Sequence, residues 1–261
     1  MLVFVIPLKS PKASQSWVRV SKLFERCIKS VCNQTSDNFR AIVVCHAKPL
    51  VEFSHPHITY IEVDEVNFPL PSQEGSKGVG LDKYRKILVG VKHALQLELS
   101  HVMPVDADDM VNKYLAEFVE QHPQRNGWFV NSGFVYQEGS KFIYPLRKDF
   151  NRKCGTCNII RTNILDLPKN PENYRYDYLK NYHCSHAQLV KKLAQKGTPI
   201  EPLPFAGALY VVNHGENTPS GTLNAFYKQG KALSWLKTTL SMRPLTGSIR
   251  NEFGLYDISY N

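Results

Sequence analysis

The sequence has no apolar run long enough to cross a membrane as a helix, and its opening stretch, MLVFVIPLKSP, is too short for a signal peptide. Neither an integral membrane protein nor an exported one is expected. Zinc-finger spacing, an RNP-like aromatic motif and long basic runs are all missing, so no nucleic-acid partner is expected. No internal repeat or low-complexity tract appears. Acidic residues are in deficit, with 23 Asp and Glu against 32 Lys and Arg, a formal net charge of +9. That excess implies an acidic partner, such as nucleotide phosphates or an anionic membrane surface. With no export signal, the six cysteines (Cys27, Cys32, Cys45, Cys154, Cys157 and Cys184) read as reduced thiols of a cytoplasmic protein. Peripheral contact with the inner face of a membrane stays open. The length of 261 residues is enough to bury a sizeable core, as one large domain or two small ones.

What is present points to an α/β fold. Leu2 to Leu8 is a β-rich apolar run, followed by a polar loop and a helix from Ser16 to Cys32 with one apolar face. RAIVVC (Arg40 to Cys45) and Ile58 to Val63 read as further strands, and this alternation suggests βαβ units and a mainly parallel sheet. Phe68 to Gly80 is a Pro/Gly/Ser-rich loop, after which Asp82 can cap a helix running to about Leu99, and Asn112 can cap the next. WFVNSGFVYQEGSKFIY predicts an antiparallel hairpin turning at Glu138-Gly139. A helix from Ser185 to Lys196 has a capping-box start and a Gly197 stop, and short strands follow near 200–203 and 208–212. The last forty or so residues are aromatic and basic, with weak periodicity.

The most informative stretch is HVMPVDADD, His101 to Asp109, where an apolar strand runs into three carboxylates. Side chains alternate along a strand, so the spacing of Asp106 and Asp108 would aim both the same way. Two such oxygen ligands can hold a hard divalent cation, Mn2+ or Mg2+, at the carboxyl end of a strand, where open α/β sheets bind ligands.

The order FVIPL, helix, RAIVVC, VMPVDADD resembles the nucleotide-sugar half of a GT-A fold glycosyltransferase, closest to glycosyltransferase family 2. CGTCNIIRTNIL (Cys154 to Leu165) is similar to that family's small-residue segment, and YVVNHGENTPS (Tyr210 to Ser220) to its late His-Gly-x-Asn-x-x-Ser strand end. The resemblance implies a single domain with a Rossmann-like mixed sheet flanked by helices, over about residues 1–220. Residues 1–110 would form the nucleotide-sugar half and 111–220 the acceptor half, and 221–261 a C-terminal extension, read as a flap, an acceptor contact or a solvated face. It implies a metal-dependent, inverting transfer from a nucleoside diphosphate sugar, UDP-linked by default, to a sugar or lipid-linked sugar acceptor in bacterial surface polysaccharide or glycolipid synthesis. Asp108 and His214 would hold the metal and Asp106 would lie between it and the ribose. Pro7, Leu8 and Lys9 would border the nucleoside, and Lys83, Arg85 and Lys86 would face the diphosphate. Oligomeric state has no signature.

Two departures stand out. Cys45-His46-Ala47 replaces the carboxylate that usually follows the second strand, leaving Asp64 as a substitute base reader or a plain loop acid. Ser185-His186 stands where a Glu-Asp pair usually supplies the catalytic base, so His186 is the candidate base, with Asp177, Asp149 and His183 as alternatives. A structural zinc site built from Cys154, Cys157, His183, Cys184 and His186 competes for those residues. A binding module that has lost catalysis is the further alternative. A nucleotidyltransferase fits less well, because LKSPKASQS has no glycine to cradle a triphosphate. Trp128 is read as a stacking platform for a sugar, and Trp17 and Trp235 as packing residues.

Overall fold

The first strand, β1 (Leu2–Pro7), is apolar along its whole length because both its faces are covered. In this computed structural model, which describes residues 1–73, 77–165, 167, 186–216 and 240–259, it forms the centre of the larger of two sheets. The helix α1 (Trp17–Val31) leads to β2 (Phe39–Cys45) and β3 (Ile58–Glu62), and α2 (Gly78–Ala94) leads to β4 (His101–Pro104). Leu2, Phe4 and Ile6 of β1 pack with Phe24, Cys27 and Ile28 of α1, while Val3 and Val5 pack with Ile87, Val91 and Ala94 of α2. The period-two alternation of one strand thus fills two layers at once, which is why its sequence reads as an unbroken apolar run. Gly90 lets α2 approach closely, since a Cβ there would collide with Val5.

Downstream come β5 (Met110–Val111), α3 (Leu115–Gln121), β6 (Gly127–Phe129), β7 (Gly133–Gln137), β8 (Phe142–Leu146) and β9 (Asn158–Arg161). They are followed by α4 (His186–Gln195), β10 (Glu201–Pro202), β11 (Ala208–Val212), β12 (Arg243–Pro244) and α5 (Gly247–Phe253). The larger sheet has the order β10-β6-β9-β4-β1-β2-β3. Its β4-β1-β2-β3 half is parallel, and β9 enters antiparallel beside β4. The smaller sheet, β12-β8-β7-β11-β5, carries the antiparallel β7–β8 hairpin, with Gly139 in the left-handed region at φ 78° in its turn. A parallel Rossmann-like half flanked by helices and continued by antiparallel strands is a mixed α/β fold of GT-A type.

Several sequence readings change at this point. Ser16 stands just outside α1 rather than opening it, and caps the helix, its side chain accepting from the Arg19 N–H at 3.3 Å. Asp82 caps nothing: α2 already begins at Gly78, and Asp82 forms a buried ion pair with Lys86 at 2.8 Å one turn on. The helix stops at Ala94, short of Leu99. Asn112 sits just outside α3, where it accepts from the Tyr114 N–H at 2.9 Å. Trp128 is core rather than a sugar platform: it is 3% exposed and packs on His101, Phe118 and His122. Ser185 and Trp235 lie outside the described residues.

The end of the chain is part of the core. Phe253 is fully buried against Phe134 at 5.6 Å, and Arg243 and Pro244 extend the smaller sheet beside β8. Thr246 caps α5 by accepting from the Ile249 N–H at 3.3 Å, and Gly254 closes it at φ 64°. Among the described residues no helix is long and apolar enough to cross a membrane.

Candidate functional site

The strand order reverses between β1 and β4, so the loops that leave their carboxyl ends diverge and open a crevice. Leu8–Ser16 forms one wall and Val105–Asp109 the other, with the Val105 N–H bonded to the Val5 carbonyl at 2.9 Å. Asp106 and Asp108 do not lie on the strand. They sit in a turn closed by the Asp109 N–H on the Asp106 carbonyl at 3.0 Å, so strand alternation does not govern them. Each carboxylate takes a different partner: Asp106 pairs with Lys83 at 2.5 Å, and Asp108 accepts from His214 Nε2 at 2.8 Å.

The third carboxylate is what builds the turn. Asp109 is fully buried and accepts from Thr156 Oγ at 2.7 Å, Cys154 Sγ at 3.1 Å and the Val211 N–H at 3.2 Å. It therefore joins the β4 loop to the segment before β9 and to β11. Burial, with the Asp108 and Asp106 charges close by, pushes its carboxyl well above the ordinary value. Thr156 also accepts from the Asp106 N–H at 2.9 Å. Next to it, Gly155 allows the two charged groups to pass: a Cβ there would lie 2.6 Å from Asp106 Oδ2 and 2.8 Å from Lys83 Nζ.

His214 follows Asn213, which holds a left-handed φ of 61° at the end of β11 and turns the imidazole inward. Its Nδ1 accepts from the Glu216 N–H at 3.3 Å, which leaves Nε2 to donate to Asp108. Burial opposes ionisation of Asp108, but the His214 hydrogen bond and the Lys83 charge outweigh it and hold the carboxyl below its usual value. Glu216 closes the other side of the crevice. It accepts from Lys9 Nζ at 2.7 Å, from the Ser16 N–H at 2.7 Å and from the Gln15 N–H at 3.2 Å. A carboxylate at the start of α1 complements the orphan N–H groups and the helix dipole.

The remaining predicted residues divide. Pro7 and Lys9 line the β1 end of the crevice, although Lys9 is engaged by Glu216. Lys83 reaches the centre; burial alone would lower its pKa, but Asp106 raises it above the ordinary lysine value, so it stays charged. Lys86 does not reach it. Its ammonium is fully buried and bonds the Leu8 carbonyl and Asp82, both at 2.8 Å, so it anchors the end of β1 from beneath. Arg85 is also buried, on α2. Asp64 is exposed, and its Oδ1 accepts from the Val66 and Asn67 N–H groups, each at 2.9 Å, forming the turn after β3. His46 Nε2 meets the Phe68 carbonyl at 2.9 Å, and Lys12 pairs with Glu65 at 2.8 Å, so the loops after β1, β2 and β3 converge.

His186, first residue of α4, shares a pocket with Lys83, Gly155 and Asn158. Its ring is hydrogen-bonded to the backbone of Arg152, and burial and then Lys83 lower its pKa. Asp149 is exposed and 3.8 Å from Arg152. Asp177, His183 and Cys184 lie outside the described residues. Among the described residues no three His, Cys, Asp or Glu side chains converge as a ready ligand set. The Cys154 and Cys157 thiols are buried and donate to Asp109 and to the Asn151 carbonyl.

The fold is that of a mixed α/β domain whose parallel half is Rossmann-like. No family model and no curated protein matches the sequence. Solved structures of Staphylococcus aureus TarS are similar. That of residues 1–349 with UDP-GlcNAc is 15% identical, with 82% of this chain and 59% of that chain covered and a TM-score of 0.42. The 1–349 complex with UDP is 16% identical, with 81% and 60% covered and a TM-score of 0.42. A longer TarS structure is 13% identical, with 81% and 36% covered and a TM-score of 0.41. The chain thus spans about three fifths of the 1–349 structures. These likenesses are too distant to carry an argument about the site.

Proposed function

We propose that the chain is a glycosyltransferase that moves a sugar from a nucleoside diphosphate sugar, UDP-linked by default, to a hydroxyl acceptor with inversion. The observation that carries this reading is the placing of Asp106, Asp108, Lys83 and His214 in the switch-point crevice, with His186 in the pocket that Lys83 and Gly155 share. The donor's nucleoside would lie against Pro7 and the converging loops, and its diphosphate beside Lys83.

The residues present fit a divalent cation. Asp108 Oδ2 and His214 Nε2 lie 2.8 Å apart, near the spacing of two ligands about 2.1 Å from one ion at right angles. A cation there would take the place of the Nε2 proton, with the imidazole proton moved to Nδ1 and the Glu216 N–H bond given up. Mg2+ is commonly held by one or two carboxylates plus substrate phosphates, so a complete protein cage is not required. Mn2+ or Mg2+ bound by Asp108 and His214, next to Asp106, would supply positive charge to the diphosphate.

His186 has the features of a general base. In a neutral imidazole, the nitrogen that donates to the Arg152 backbone carries the proton and the other keeps its lone pair. Its lowered pKa keeps it neutral near pH 7. The acceptor hydroxyl gives its proton to that nitrogen as its oxygen bonds the anomeric carbon. The bond from that carbon to the phosphate oxygen breaks, and the diphosphate leaves with the electron pair beside Lys83. No enzyme nucleophile is needed. A surface polysaccharide or glycolipid is the proposed product, made at the cytoplasmic face.

Nucleotide release from a panel of nucleoside diphosphate sugars, with and without Mn2+, tests the reading. Turnover of one donor should require the metal, disappear in Asp108→Asn and fall by about a hundredfold or more in His186→Ala. Turnover in Asp108→Asn equal to wild type would refute the metal assignment, and unchanged turnover in His186→Ala would refute the base. Failure with every donor would favour a binding module.

A further inference from the structure

A second concavity opens among residues that the donor reading does not use. It is a groove of about 610 Å³ between the end of β8 and the segment at 240–243. That volume suits a ligand of a few sugar units better than a single ion. Its walls carry Arg147, Lys148, Lys153 and Arg243, all exposed, against the one carboxylate of Asp149. Asp149 is already matched by Arg152 at 3.8 Å. Arg147, Lys148 and Arg243 make no ion pair among the described residues, so their charge is uncompensated there.

The loop that carries Lys153 links the groove to the reaction centre. Lys153 lies two residues before Gly155, whose missing side chain leaves room for Asp106 and Lys83. Arg152, on the same loop, bonds the His186 ring through its backbone. A chain lying across the cations would therefore bring a hydroxyl toward the imidazole. We infer that this groove holds the acceptor, and that the acceptor is an anionic glycan whose acidic groups face Arg147, Lys148 and Arg243. This rests on the transferase reading above and narrows its acceptor class. A neutral glycan would leave a cluster of like charges facing one another, whereas an acidic one neutralises them and is steered in by the same field.

The test uses the full chain and the variant Arg147→Glu/Lys148→Glu/Arg243→Glu, whose exposed positions should leave the melting temperature unchanged. Three probes are titrated: a short polygalacturonate oligosaccharide, a neutral malto-oligosaccharide of the same length, and phosphatidylglycerol vesicles. Binding of UDP with Mn2+ is measured alongside as a readout of the donor site. The inference expects polygalacturonate to bind wild type, to weaken with salt, and to weaken by at least about tenfold in the variant, with UDP binding unchanged. Equal binding of the acidic and neutral oligosaccharides, or equal binding by variant and wild type, would overturn it. Binding to vesicles without binding to polygalacturonate would also overturn it and assign the groove to a membrane surface. Loss of UDP binding in wild type, with groove binding intact, would refute the transferase reading and leave an anion-binding surface that is not an acceptor site.

Discussion

The buried fork between Arg26 and Glu138 allows a sharp stability prediction. Arg26 lies on α1 with its guanidinium fully buried, donating to the two Glu138 oxygens at 2.6 and 3.0 Å and to the Tyr256 carbonyl at 3.1 Å. It therefore ties the helix that borders the crevice to the β7–β8 turn and to the C-terminal segment. Replacing Glu138 by Ala would leave a buried cation with one carbonyl partner. Breaking a buried pair from one side costs about 3–5 kcal/mol. The Glu138 side chain keeps 10% exposure, so water can partly replace it and the lower end, about 3 kcal/mol, is expected. In a chain of this size that corresponds to a melting temperature lower by roughly 6–12 °C. The double replacement Arg26→Met/Glu138→Leu removes both charges and should recover most of the loss. Urea unfolding followed by circular dichroism measures both, provided the slope is unchanged. A loss below about 1 kcal/mol in Glu138→Ala, or no recovery in the double variant, would refute the reasoning.

Other predictions follow from single contacts. Gly155→Ala puts a methyl group 2.6 Å from Asp106 Oδ2, so donor turnover should fall by about tenfold or more with little change in melting temperature; wild-type turnover would show that the Asp106–Lys83 geometry is not critical. Phe253→Ala should cost about 3–5 kcal/mol, read by urea unfolding, because the ring is fully buried; a loss under about 1 kcal/mol would contradict its place in the core. His101 is buried and neutral, its pKa held down from 6.5 to about 4 by burial, against the opposing hydrogen bond to the Arg125 carbonyl. The unfolded chain takes up that proton first, so stability should fall as pH drops from about 6.5 toward 4, by about 2–3 kcal/mol at pH 4.5. His101→Gln should flatten that dependence, and an undiminished slope would show that other groups cause it.

What could be read in the sequence was what local signals encode. The apolar β1, the amphipathic α1 and the Gly139 turn all depend on residues a few positions apart. The DADD carboxylates stand out in the sequence as the end of a strand, but not as the turn they form. Asp109 reaches Thr156 and Val211, 47 and 102 residues away, and neither contact leaves a local mark. Lys86 looked like a phosphate ligand until its partner, the Leu8 carbonyl 78 residues earlier, filled its reach. Glu216 lay inside the recognised NHGEN motif, yet its bond to Lys9 spans 207 residues. In the C-terminal segment Thr246 and Gly254 are ordinary cap signals. They stand out little in the sequence because β12 is only two residues long and the helix only seven.

The central claim is that the β1–β4 crevice holds a nucleoside diphosphate through the Asp108–His214 pair. Isothermal titration of UDP, GDP and dTDP into wild type and Asp108→Ala, each with and without Mn2+, tests it most directly. The account predicts that one nucleotide binds wild type only when Mn2+ is present, and that Asp108→Ala, still folded by circular dichroism, binds none. Metal-independent binding of equal strength in both proteins, or no binding of any nucleotide to wild type, would contradict it.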